Sequence, residues 1–85
     1  MTDRPDYSEI GRRLHQIRTG FSDLSQKDWA EKHGFSVTQY NNWENGTRRI
    51  TVDAADILVD RYNLSLDFIY RGRLDGLSET ARKIL

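Results

Sequence analysis

Two serines eleven residues apart, Ser25 and Ser36, each head a short run of helix-compatible sequence, and each run stops at a glycine, Gly34 or Gly46. A serine hydroxyl can accept a hydrogen bond from a free N–H in the first turn of a helix. A glycine just past the last turn takes the left-handed conformation that closes one. The stretch SQKDWAEKHGFSVTQYNNWENG therefore spells two helices, residues 25–33 and 36–45. They are separated only by the turn Gly34-Phe35. Glycine permits a positive φ there, and Phe35 can fold inward to hold the pair at its angle.

The rest of the chain supplies a body for that pair. Ile10, Leu14 and Ile17 fall at i, i+4 and i+7, which predicts a first helix over Tyr7–Thr19 that starts near Ser8 and stops at Gly20. GFSDL then reads as a loop. Trp29 and Ala30 are the inward residues of the second helix. Thr51 caps a fourth helix, VDAADILVDRYN, with Val52, Ala55, Leu58, Val59 and Tyr62 on its buried face. Ser65 caps a fifth, LDFIYR, which stops at Gly72, and SET in the tail marks a short further helix. No stretch alternates as a strand would. Eighty-five residues hold one modest core, so the expectation is an all-α, five-helix domain over 8–72. It is flanked by a flexible N-terminus, 1–7, and a C-terminal tail, 73–85.

The second helix of the pair carries an unusual face. Asparagine competes with its own backbone and is a poor interior helix residue, yet Gln39, Asn41, Asn42 and Asn45 crowd this short helix. Val37, Tyr40, Trp43 and Glu44 make an inward stripe, so two large rings can offset the lost propensity by burying ~150–250 Å² each. Thr38, Gln39 and Asn42 project together on another side. Amides can pair in bidentate fashion with adenine, and threonine can touch a thymine methyl. Such a surface reads bases without adding charge. A short helix, a glycine turn and a second short helix form the helix-turn-helix, which lays its second helix in the DNA major groove. An ordinary solvated face is the plain alternative.

Leu24, Ser25, Gln26, Trp29, Ala30, Gly34, Phe35 and Ser36, followed by Glu44, Asn45 and Gly46, resemble the central motif of lambda-repressor/Cro-like proteins, the XRE family. IGRRLHQIR and LSLDFIYRG resemble that family's first and fifth helices, so the likeness spans about residues 8–72. The resemblance implies that Val37, Thr38, Gln39 and Asn42 face base edges, with Asn41 less directly placed. It implies that Ser25, Gln26, Lys27, Asn45, Thr47, Arg48 and Arg49 meet the DNA backbone. It also pairs Arg18 with Glu44 and requires a small residue at Ala30. Trp29, Tyr40 and Trp43 depart from the family's aliphatic core, Ala55 stands where leucine is common, and the loop after the first helix is longer.

Charge limits the partner. Thirteen basic and thirteen acidic groups cancel, so DNA is met through a local patch rather than a global field. Arg12 and Arg13 are expected at the surface, and Asp53, Asp56, Asp60 and Asp67 on a face turned from DNA. His15 and His33 lack ligand spacing, so no metal site is expected. Cysteines are absent, as are phosphate loops and nucleophile motifs, so neither an enzyme nor a cofactor is expected. No run reaches the ~20 apolar residues of a membrane span. The expected setting is the cytoplasm, and the resemblance implies a bacterium or its phage. Ile57, Leu74, Leu77, Ile84 and Leu85 are apolar residues beyond the needs of the five-helix core and suggest a homodimer contact. The expected activity is that of a DNA-binding transcriptional repressor acting on an inverted repeat, with no small-molecule ligand. The rival readings are an antitoxin that holds a toxin protein and a protein-interaction module without DNA binding.

Overall fold

The computed structural model describes residues 6–85. Among them lie six helices and no strand: α1 (Ser8–Phe21), α2 (Gln26–Lys32), α3 (Val37–Glu44), α4 (Val52–Tyr62), α5 (Leu66–Arg71) and α6 (Glu79–Ile84). Most of the expected N-terminal segment lies outside the described residues. Its last two residues are tied down: the Asp6 carboxylate accepts from the Ser8 N–H at 2.9 Å, and the Tyr7 N–H donates to the Gly46 carbonyl.

Each of the five helices after α1 is started by a hydroxyl. Ser25, Ser36, Thr51, Ser65 and Ser78 accept from the third N–H downstream, as capping chemistry requires. α2 ends in a Schellman motif: Gly34 at φ +78°, its N–H on the Glu31 carbonyl, and the Phe35 N–H on the Ala30 carbonyl at 2.8 Å. Those bonds fix the exit angle of the chain into α3.

The core is aromatic. Trp29 and Tyr40 are fully buried with Leu14, Ile17, Leu58 and Ile69. Trp29 lies flat on Tyr62, centroids 5.4 Å apart. Phe35 stacks parallel to Tyr40 and meets Trp43 edge-on at 5.6 Å, which is the inward fold expected of it.

Four expectations need correction. α1 does not stop at Gly20 but runs to Phe21, where Ser22 returns its N–H and hydroxyl to the Arg18 carbonyl. Gly20 meets a packing demand instead, because a Cβ there would sit 2.7 Å from a methyl of Ile84. Val52 is exposed, and Ala54 takes its place in the buried stripe with Ala55 and Leu58. Ile50, just before the helix, is buried as well. Arg13 is buried, its Nε donating to the Ile69 carbonyl at 2.9 Å. It thereby satisfies a carbonyl in the last turn of α5. Finally, the apolar cluster does not end at Gly72. Leu77 and Ala81 belong to it, and Leu85 packs against it.

Candidate nucleic-acid interface

The candidate reading helix, α3, is clamped against α1 over its whole C-terminal half. Gly11 of α1 makes the close approach possible. A Cβ there would strike the Glu44 carbonyl and lie 2.9 Å from that of Trp43. The pairing of Arg18 with Glu44 is present and bidentate, with Nη2 2.7 Å from Oε1 and Nε 3.1 Å from Oε2. Arg18 also donates to the Leu24 carbonyl at 2.9 Å, which ties in the loop before α2. Burial pushes the Glu44 carboxyl up. The Arg18 guanidinium, then His15, with smaller help from Gln26 and Tyr40, outweigh burial and hold it down at about 2. His15 reaches the same carboxylate at 2.9 Å. The Tyr40 phenol lies close to it but outside hydrogen-bonding geometry, and burial pushes that phenol up.

With its rear held, α3 turns Thr38 and Gln39 fully outward and leaves Val37 and Asn42 half-exposed. Ser36, ahead of them, accepts from the Gln39 N–H. Asn41 departs from this edge, for its side-chain oxygen is buried with no hydrogen-bond partner. At the other end α3 closes in a second Schellman turn. Gly46 stands at φ +80°, and the Thr47 and Arg48 N–H groups both reach the Asn42 carbonyl, at 3.0 and 3.2 Å. The Thr47 hydroxyl points back to that carbonyl and to the Asn42 side-chain oxygen, at 3.2 and 3.3 Å.

Arg48 and Arg49 follow, both exposed. The Arg49 guanidinium rests over the Tyr70 ring, 4.8 Å from its centroid, and the Tyr70 hydroxyl donates to the Ile50 carbonyl at 2.7 Å. Gln39, Asn42, Trp43, Arg48, Arg49 and Thr51 together line one concavity of about 320 Å³. The Gln39 and Asn42 amides and the Arg48 and Arg49 guanidiniums thus border a single hollow. On the α2 side, Lys27 is exposed and Gln26 half-buried, while the Ser25 hydroxyl serves as the α2 cap.

Four contributors escaped the sequence reading: Gly11, His15, Arg13 and Tyr70. A glycine inside a helical pattern is a signal of close approach, so Gly11 was open to discovery. The Tyr70 and His15 contacts join residues 21 and 29 positions apart and leave no local trace. Of the residues expected at a dimer contact, Leu77 is in the core and Leu85 half-buried against it, whereas Ile57, Leu74 and Ile84 stay exposed.

Paired short helices around a tight glycine turn, with an amide face on the second, define a helix-turn-helix domain of the kind that binds DNA. A family model described as helix-turn-helix matches residues 15–69. The chain belongs to that family, in its lambda-repressor-like form, and is a DNA-binding regulator of that class. No curated protein and no solved structure matches it. Among the described residues no helix is long and apolar enough to cross a membrane.

Proposed function

We propose that this chain is a sequence-specific transcriptional repressor that binds an inverted-repeat operator as a homodimer. The observation that carries the reading is the outward edge of α3, with Thr38, Gln39 and Asn42 displayed beside Arg48 and Arg49 on a helix whose rear is locked. In this reading Val37, Thr38, Gln39 and Asn42 meet base edges in the major groove. Ser25, Gln26, Lys27, Asn45, Arg48 and Arg49 meet the sugar-phosphate backbone, which sets register rather than sequence. One short helix contacts too few bases for tight selectivity, and two copies one helical turn apart supply the rest. Ile57, Leu74 and Ile84 are the exposed apolar residues offered to the second copy. Repression follows from occupancy of a promoter alone.

The antitoxin reading depends on a C-terminal segment free to grip another protein. Leu77 and Ala81 of that segment are instead in the core and Leu85 packs against it, which lowers its support. The test is selection of bound duplexes from a random pool at near-physiological salt. A palindrome with half-sites about ten base pairs apart supports the proposal. A single ungapped site removes the dimer, and no enrichment by folded protein removes sequence reading altogether.

A further inference from the structure

We infer that Thr47 is a positioning residue for base reading, holding the Asn42 amide in place, and not a phosphate ligand. The inference rests on the reading that Asn42 meets a base.

A hydroxyl has one proton to give. That of Thr47 is directed inward, to the Asn42 carbonyl at 3.2 Å and the Asn42 side-chain oxygen at 3.3 Å. A phosphate oxygen is an acceptor only and would compete for the same proton. The hydroxyl also stands on a fixed support. Thr47 is the third residue past α3, where its own N–H and that of Arg48 are bonded to the Asn42 carbonyl, and Gly46 turns the chain at φ +80°. A rigid turn thus reaches back to Asn42, which with Gln39 lies both on the reading edge and in the hollow shared with Arg48 and Arg49.

The consequence concerns specificity. A free asparagine side chain samples several rotamers, and a base contact must first order it. The Thr47 proton is shared between the Asn42 carbonyl and its side-chain oxygen, so the Asn42 amide keeps acceptor capacity and two N–H donors for a base. It meets that base already ordered. Gln39, which is exposed and whose side chain makes no hydrogen bond of this kind among the described residues, must be ordered by the DNA itself.

The test starts from the duplex that the wild-type chain selects. Asn42→Ala locates the base pair at which preference is lost. Thr47→Val, similar in shape but without the hydroxyl, is expected to cut preference at that same base pair by about two- to tenfold, the worth of one hydrogen bond. Binding to random-sequence DNA should be unchanged, and Thr47→Ser should restore the preference. A second readout needs no DNA: the Asn42 side-chain amide, followed by 15N relaxation, should be ordered in wild type and Thr47→Ser and mobile in Thr47→Val. Unchanged preference in Thr47→Val overturns the inference while leaving Asn42 as a reader. So does equal weakening on specific and random DNA, which is the mark of a phosphate contact. If Asn42→Ala alters preference nowhere, the base-reading assignment fails first and Thr47 has nothing to position.

Discussion

The Arg18–Glu44 pair shows how much a buried carboxylate depends on its neighbours. Its side chains are 13 % and 3 % exposed, so each charge has given up water for the other. Glu44→Gln would leave Arg18 buried without its counter-charge, at an expected cost of about 3–5 kcal/mol in urea unfolding. The carboxyl is held at about 2 against an ordinary 4.5. Its contribution to stability is therefore complete above about pH 4.5 and is lost as pH falls toward 2, roughly 3 kcal/mol in all. The Glu44→Gln chain should lack that acid limb. His33 adds an earlier one. Burial pushes its imidazole below 6.5. Its Nδ1 faces the Trp29 carbonyl at 2.8 Å, so the neutral ring accepts from the Tyr62 hydroxyl at 2.7 Å. Acid must charge it in place, so stability declines as pH falls below 6.5. Thermal melts from pH 7 to 3 should show both limbs in wild type and only the first in Glu44→Gln. The Arg18–Glu44 partnership was accessible from the sequence through family likeness. The His33–Tyr62 bond was not, because a histidine in a helix carries no sign of whether it is solvated or capped by a residue 29 positions on.

Helix ends were the most legible elements. Serine or threonine at the start and glycine or asparagine at the close place α2 to α5 within a residue or two of where they lie, because capping is a local hydrogen-bond matter. Gly20 misled for the opposite reason: its role is set by Ile84, sixty-four positions away in the chain. Three glycines now separate into kinds that one substitution can tell apart. At Gly34 nothing lies within 4 Å of an added Cβ, and only the positive φ objects. Gly34→Ala should cost about 1–2 kcal/mol and leave the fold intact. Gly11 is helical, so alanine there would gain about 1 kcal/mol from propensity alone. The carbonyls of Trp43 and Glu44 stand in the way, and backbone cannot rotate aside as a side chain can. Gly11→Ala should therefore destabilise by roughly 1–3 kcal/mol and also tilt α3, weakening DNA binding beyond the stability loss. Gly20→Ala should shift α6 and leave α3 unaffected. Parallel melts and binding titrations of the three variants check all of this.

Across the whole molecule the proposed reading face and the core should be separable by mutation. Asn42→Ala should change base preference by about 1–3 kcal/mol, whereas Arg49→Ala should weaken all duplexes alike and reduce the salt slope by about one. Tyr70 supports Arg49 from beneath, so Tyr70→Leu should follow Arg49→Ala in kind, with a smaller effect. Leu77→Asp should unfold the chain, since that residue is 7 % exposed and part of the core. Leu74→Asp, at a position half open to solvent, should leave the monomer folded and, if it lies in the dimer contact, shift sedimentation toward one chain. The arrangement of the first five helices was readable from periodicity and caps, but the return of α6 onto α1 was not. Four apolar residues near a chain end look alike whether they meet a partner or their own core, and only three dimensions divide Leu77 from Leu74. One further consequence follows from the contact between Gly11 and the carbonyls of α3. Because that helix is seated backbone to backbone, it cannot re-aim itself when, on the proposed inverted repeat, the two half-sites are slightly out of phase. Any misfit is left for the duplex to absorb by bending or twisting between them. The untouched central base pairs then matter through their stiffness, and flexible pyrimidine–purine steps there should bind better than a rigid A-tract of equal length.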